Sequence, residues 1–279
     1  MNFTEQEAKS QNQGLGLTCL TKDVALYSGV VDHWQDSINK TAAESIVAQL
    51  VRDKKVDALD QGTVYLEIPA WKFWVWRKYV KDTKAMVSFA RLSMYITLGY
   101  GSVTSDKRFL KDMQKYLCPD NQPTVFHKIR RTVLWITSKA VLNEFKNIFS
   151  PKVFSIIHED AKQRDFNQLL FVSPIWFDNS AVEYDGNDIP VQKIGPTDPS
   201  QEFARVCFET EMHYKSLKAK GLSRKQVVNL LPDTVAVPTI ITASEDAWKA
   251  AYLTVMEMSG TSSELKELMR KTEKTLNLR

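Results

Sequence analysis

The chain has 279 residues, 43% of them hydrophobic and 25% charged, with a formal net charge of +4, so it can bury one sizeable core and reads as an ordinary globular protein. No uncharged apolar run reaches the ~18 residues a membrane span needs, and the polar opening MNFTEQEAKSQNQG lacks the apolar stretch of a signal peptide, which points to a cytoplasmic protein. Cys19, Cys118 and Cys207 are far apart and lack CxxC spacing, which excludes a disulfide framework and a zinc knuckle, while the slight basic excess decides nothing about partners.

In chain order, the first expected element begins near Gly16, after a leader without periodicity that reads as frayed. From Ser37 to Arg52, Ile38, Ala42, Ile46 and Leu50 form the stripe of an amphipathic helix. Between Gly62 and Pro69, Val64, Leu66 and Ile68 alternate as in a strand that a proline stops. The following aromatic segment, through Arg77, Lys78, Lys81 and Lys84 to Leu98, is predicted to be a helix with one basic shoulder. From about 100 to 150, two helical patterns separated by CPDNQP predict a helical hairpin, an insertion into a smaller parent fold.

LLFVSPIWF has strand chemistry, and the Gly-, Pro- and Asp-rich stretch 185–200 reads as a loop. A long helix then spans roughly Pro199 to Lys220, with Gly221 as its C-cap and Ser223 as N-cap of a helix closed by Pro232. SEDAWKAAYLTVMEM opens with two acids that suit a helix N-terminus, and SSELKELMRKTEKTL follows a break at Gly260. The whole, residues 1–279, is expected to form a single domain of mixed α/β (α+β) class.

Several clusters admit two readings. Arg77, Lys78 and Lys81 beside Trp71, Trp74 and Trp76 suit an anion site with aromatic surfaces, for a flavin phosphate or single-stranded nucleic acid, or else a buried aromatic stripe with a solvated edge. Lys128, Arg130 and Arg131 read as a solvated helix face or a nucleic-acid contact. His158, Glu159 and Asp160 lack the i, i+4 spacing of a helical metal site, His33, His127 and His213 are scattered, and no metal is expected. Gly99, Tyr100 and Gly101 lack the third glycine and the strand-to-helix context of a dinucleotide fingerprint and read as a turn.

The stretch YKSLKAKGLSRKQVVNLLP carries Tyr214, Leu217, Gly221, Arg224, Leu231 and Pro232 in the order found in the conserved helix of flavin-dependent thymidylate synthases, and resembles it. IVAQLVRDKKVDALDQGTVYLEI is similar to that family's early helix, flavin-contacting turn and first long strand, which sets Asp60 at a flavin-contacting glutamate and Ser28 at a serine touching flavin phosphate. DAKQRDFNQLLFVSP resembles the family's Glu-x-Ser-x-Arg segment, with Asp160, Lys162 and Arg164 at its three positions.

The resemblance implies a thymidylate synthase-complementing-protein-like fold and a homotetramer with FAD and dUMP at subunit junctions. NADPH would reduce the flavin and methylenetetrahydrofolate would supply the carbon. It nominates Ser28, Asp60, Arg77 and Lys78 for the cofactor and Ser88, Arg164 and Arg224 for the nucleotide.

The sequence departs from the family pattern at its chemistry. Arg77, Lys78, Tyr79 and Ser88 match an Arg-His-Arg motif only partly, without the histidine. Val228 stands where an arginine holds the dUMP phosphate, Val255 where an arginine polarises the pyrimidine ring, and Ser244 where an asparagine lies near the flavin. Valine donates nothing to an anion. Three readings therefore remain: an enzyme acting on dUMP or a related pyrimidine nucleotide with its phosphate contacts redistributed, a flavoprotein modifying another nucleotide, or a diverged homologue that binds nucleic acid or an assembly partner.

Overall fold

The computed structural model describes residues 2–11, 45, 48–81, 85–104, 111–158, 169–187, 189–192, 198–227 and 231–278. Their strands form three sheets. Two short strands, β1 (Asn2–Thr4) and β2 (Glu7–Gln11), open the chain, so the leader expected to be frayed is paired backbone. The helix expected over 37–52 shows helical backbone at 45 and 48–52, and the rest of it lies outside the described residues.

After a short helix α1 (Val56–Leu59) comes β3 (Thr63–Pro69), the strand read from alternation. Pro69 ends it, and a 3-10 turn over Ala70–Lys72 leads into α2 (Phe73–Lys81). The second half of the segment expected to be one helix is instead a hairpin of β4 (Met86–Ala90) and β5 (Ser93–Gly99). Its residues explain the correction, because Val87, Phe89, Tyr95, Ile96 and Thr97 are β-branched or aromatic and fit a pleated surface. The antiparallel sheet β3-β5-β4 packs Val64, Leu66, Met94 and Ile96 against Trp76 of α2 in one apolar cluster.

Of the two helical patterns expected over 100–150, the first is helical at 111–113 with 105–110 outside the described residues, and the second is split between a strand and a helix. The segment contains a short helix α3 (Tyr100–Thr104), a 3-10 turn at Pro119–Asn121, strand β6 (Arg130–Ser138) and helix α4 (Lys139–Ile148). The apolar residues Ile129, Val133 and Ile136 mimic a helical stripe, but Thr132, Val133, Trp135, Ile136 and Thr137 prefer extended backbone. Ser138 marks the change, accepting the Val141 N–H at 3.3 Å as the N-cap of α4.

Strand β6 lies inside the four-stranded antiparallel sheet β2-β6-β9-β7, formed with β7 (Ser155–His158) and β9 (Ala236–Ser244). A strand paired on both edges belongs to the framework of its sheet, so residues 130–138 are not part of a peripheral helical hairpin. β9 runs opposite β6 along its whole length and opposite β7 only from Thr239 to Thr242, so Pro238 lies beyond the β7 ladder and its missing N–H leaves no gap there.

One face of this sheet is covered by α4, α7 (Glu245–Glu257) and α8 (Ser263–Leu276), whose Phe145, Trp248, Leu265, Leu268 and Met269 close over Val133, Trp135 and Ile241. β1 pairs in parallel with β8 (Leu170–Val172), and α5 (Pro199–Ala219) packs against that pair through Cys207 and Tyr214. Asp198 caps α5 by accepting the Ser200 N–H at 2.7 Å, and Gly221 beyond it takes φ +85°, a left-handed conformation that closes the helix. A four-residue helix α6 (Arg224–Val227) follows. Among the described residues no helix is long and apolar enough to cross a membrane.

Candidate functional site

Three places gather chemistry: a buried junction between the two larger sheets, a latch around His127, and an open cleft beside β1 and β8.

The junction forms because Asp60 and Gln61 precede β3, while Arg130 begins β6. Asp60 is 1% exposed, and its carboxylate accepts the Ser102 N–H at 3.0 Å. Arg130 is also buried and donates to the Asp60 carbonyl at 2.8 Å, the Gly62 carbonyl at 3.3 Å and Ser155 Oγ at 3.5 Å. Burial pulls the Arg130 pKa down, and the opposing Asp60 charge pushes it back up. Gln61 donates to the Ser155 and Asp57 carbonyls at 3.1 and 3.2 Å, accepts from Thr242, and Thr242 shares a 2.8 Å hydrogen bond with Thr132.

This network ties α1, the turn before β3, α3, β6, β7 and β9 together through hydrogen bonds, the condition under which buried charge is tolerated. Gly99 completes it. A Cβ there would lie 2.4 Å from Asp60 Oδ1, so the glycine makes room for a carboxylate of the same chain. Gly99 ends β5 and Tyr100 begins α3, so the strand-to-helix context that the sequence reading denied is present.

The second cluster centres on His127. Its Nδ1 accepts the Thr124 N–H at 3.0 Å, which leaves Nε2 to donate to the Leu66 carbonyl at 3.1 Å. Tyr65 and Tyr95 contact the ring edge-on at 5.3 and 5.2 Å. Cys118 Sγ is 3.8 Å from Nε2, a Cys/His pair absent from the sequence reading. Its electrostatics oppose nucleophilic use: burial pushes the thiol pKa up to about 11 and lowers that of the imidazole, the reverse of a thiolate–imidazolium pair. The pair is a packed latch holding the 118–127 segment on the three-stranded sheet.

The cleft has a volume of about 1020 Å³ and opens where the parallel strands β1 and β8 run out into Glu5–Gln6 and Ser173–Ile175. Phe3 and Phe177, 4.7 Å apart, contribute its aromatic wall. Its lining includes three carboxylates, Glu5, Asp178 and Glu267, against one ammonium, Lys271. Lys271 donates to the Gln6 carbonyl at 2.8 Å and lies 3.6 Å from Glu5. Such a rim disfavours a phosphate dianion and suits neutral or cationic groups. The sequence reading missed it because one wall comes from the leader taken as frayed.

The described residues nominated by the family resemblance lie on different elements of the chain. Asp60 lies just before β3 and Arg77 five residues past the 3-10 turn that follows it, and seven strand residues at ~3.4 Å each set the two ends of β3 roughly 20 Å apart. Arg77 is exposed, with its guanidinium 5.6 Å from the Trp74 ring. Ser88, on β4, donates to the Phe126 carbonyl. Lys78 is placed in α2 and Arg224 in α6 by their backbones. Ser28, Asp160, Lys162, Arg164 and Val228 lie outside the described residues.

Of the described nominees, Asp60 is enclosed by its own chain and Ser88 is engaged with Phe126. The departures are equally well defined. Val255 is fully buried in the core beneath α7, and Ser244 accepts the Ala247 N–H at 3.0 Å as the cap of that helix. Arg130 and Arg131 sit on a strand, not the expected helix face; Arg130 is buried, and Arg131 Nη2 lies 3.4 Å from Glu245.

No protein-family model matches the sequence, and no curated protein matches it. Among solved structures, the chain is similar to the UMP/dUMP methylase PolB from Streptomyces cacaoi bound with 5-Br dUMP, at 10% identity and a TM-score of 0.44 over 99% of this chain and 92% of that one. The same methylase bound with 5-Br UMP gives 10% identity and a TM-score of 0.44 over 99% and 91%. Thymidylate synthase X (ThyX) from Helicobacter pylori with FAD and dUMP gives 10% identity and a TM-score of 0.32 over 52% of this chain and 66% of that one.

Proposed function

We propose that this chain is a pyrimidine-nucleotide-directed protein of the flavin-dependent thymidylate synthase kind, acting on dUMP or a related nucleotide, with its flavin and phosphate contacts moved from the positions of the family pattern. The observation that carries the proposal is the build of the segment from Tyr214 onward. Tyr214 is buried on α5, α5 stops before a left-handed Gly221, and Ser223 shares hydrogen bonds with Gln226 at the start of α6. Beyond Pro232 the chain enters the central strand β9 and the capped helix α7.

On this reading the reaction is the reductive methylation that the resemblance implies, with FAD, NADPH and methylenetetrahydrofolate, in a homo-oligomer whose junctions carry the nucleotide. FAD, once reduced by NADPH, would supply the hydride. Arg224 and Arg164 are the cations proposed for the nucleotide phosphate, since a phosphate needs donors and the carboxylate-rich cleft repels it.

A second reading keeps the fold and discards the reaction, leaving a nucleotide- or nucleic-acid-binding homologue. The buried Asp60 and Val255 favour it, because neither side chain reaches a ligand without opening the core. The purified protein's visible absorbance, together with calorimetric titration by dUMP, separates the two. Flavin bands with saturable dUMP binding support the enzyme, whereas dUMP binding by a colourless protein that takes up no FAD supports the second. A protein that binds neither contradicts the proposal.

A further inference from the structure

The helix α2 and the tip of the β4–β5 hairpin hold the densest group of exposed aromatic residues beside cations in the described structure. Trp71 is 74% and Trp74 73% exposed, although tryptophan is ordinarily drawn into cores. Phe89 is exposed beside them, linked through Phe73, whose ring lies 5.6 Å from both Trp74 and Phe89. The hairpin tip closes the patch on its other side, where the Ala70 N–H donates to the Leu92 carbonyl at 2.9 Å.

Charge is concentrated on the same stretch. Residues 70–92 contain six cations (Lys72, Arg77, Lys78, Lys81, Lys84 and Arg91) and one acid (Asp82), a net +5. The whole chain carries +4, so the remainder amounts to −1. Three of these cations lie over rings: Arg77 at 5.6 Å from Trp74, Lys72 at 4.9 Å from Tyr116, and Arg91 at 5.4 Å from Phe126. Glu67, on the neighbouring strand β3, accepts from Tyr95 Oη at 3.2 Å.

The hairpin turn is itself unusual. Arg91 and Leu92 are its two central residues, and both have positive φ, 48° and 65°, where such turns favour Asn-Gly. A strained turn that keeps an arginine and an 84% exposed leucine at its tip puts a cation and an apolar side chain where a partner can meet them.

We infer that this patch is a binding platform for single-stranded nucleic acid, with the exposed tryptophans stacking on bases and the surrounding cations pairing with phosphates. The charge is complementary to a polyanion, and the exposed rings suit unpaired bases, which present open faces. An anionic membrane shares the charge preference but fits less well, because cations held at the level of the rings would enter the bilayer with them.

The test is titration of the full chain with oligodeoxythymidylate and oligouridylate, followed by tryptophan fluorescence and gel shift at low and at physiological salt. Binding to either oligomer is expected, weakening steeply with salt. The double variant Trp71→Ala/Trp74→Ala is expected to weaken it tenfold or more while leaving the melting temperature in place, since both side chains are exposed. Arg77→Glu should flatten the salt dependence, and Trp176→Ala, an exposed tryptophan elsewhere, should leave binding unchanged. Absence of binding at low salt, binding indifferent to the double variant, a preference for duplex DNA, or sedimentation with phosphatidylserine vesicles without affinity for the oligomers would each overturn the inference.

Discussion

Asp60 and Arg130 share one buried pocket: the arginine donates to the Asp60 carbonyl at 2.8 Å while the Asp60 carboxylate accepts the backbone N–H of Ser102 at 3.0 Å. The pairing sets a structural task for the position that the family resemblance assigns to flavin. Asp60→Ala leaves the Arg130 charge buried without its counter-charge, a change that costs about 3–5 kcal/mol in comparable settings. The urea midpoint is expected to fall accordingly, and Asp60→Asn, which keeps the acceptor, should lose less. An unchanged midpoint in Asp60→Ala would remove the structural role.

Gly99→Ala drives a Cβ to within 2.4 Å of the same carboxylate. Relief requires the Asp60 side chain or the end of β5 to shift, and overpacking of this kind costs about 1–3 kcal/mol. Thermal unfolding of this variant beside Gly186→Ala checks it, because the glycine at 186 has open space around its Cβ position and should tolerate the change.

His127 gives the stability a defined pH dependence. Burial lowers its pKa below the ordinary 6.5, so between the folded value and 6.5 the unfolded chain binds more protons than the native one. Stability from this group is therefore present above pH ~6.5 and lost as the pH falls toward the folded pKa. Protonation also ends the acceptance by Nδ1 of the Thr124 N–H. Chemical denaturation at stepped pH should show this loss in the wild type and a smaller one in His127→Gln.

Cys118 and Cys207 should be silent toward thiol reagents in the native protein. Burial pushes their pKa values to about 11 and about 12, leaving almost no thiolate at neutral pH. Alkylation followed by peptide mass mapping is expected to modify both only after denaturant is added. Rapid native labelling of Cys118 would instead point to an active Cys/His pair.

Leu92→Gly should stabilise the fold. Its left-handed φ of 65° costs a residue with a Cβ about 1–2 kcal/mol, and its side chain is mostly exposed, so little packing is lost. A higher melting temperature with weaker oligonucleotide binding would tie the strain at the hairpin tip to its use.

Local punctuation was legible in the sequence where it comes from single residues. Proline ended β3, Gly221 closed α5, and the acids after Ser244 and the break at Gly260 marked the starts of α7 and α8. The strand β6 was not legible, because Ile129, Val133 and Ile136 satisfy a helical spacing, and only the partners β2 and β9 decide between the two periods. The same limit hid the hairpin 86–99 and the pairing of residues 2–11, whose polar side chains hold no periodic signal.

At the candidate sites, the order of motifs in the chain placed Asp60 at a turn before the strand but gave no sign of Arg130, seventy residues away in sequence. Arg130 looked like one more surface cation beside Lys128 and Arg131. Its burial follows from the first position of a central strand, a tertiary fact. Conversely, the basic aromatic stretch around Trp74 admitted a buried reading, and the structure leaves Trp76 inside while Trp71 and Trp74 face outward.

Calorimetric titration of the purified full-length chain with dUMP tests the central proposal most directly. Saturable binding that is weakened by Arg224→Ala and unchanged by Lys271→Ala in the acidic cleft is the expected result. No heat of binding from dUMP or UMP, or binding lost through Lys271→Ala while Arg224→Ala has no effect, would contradict it.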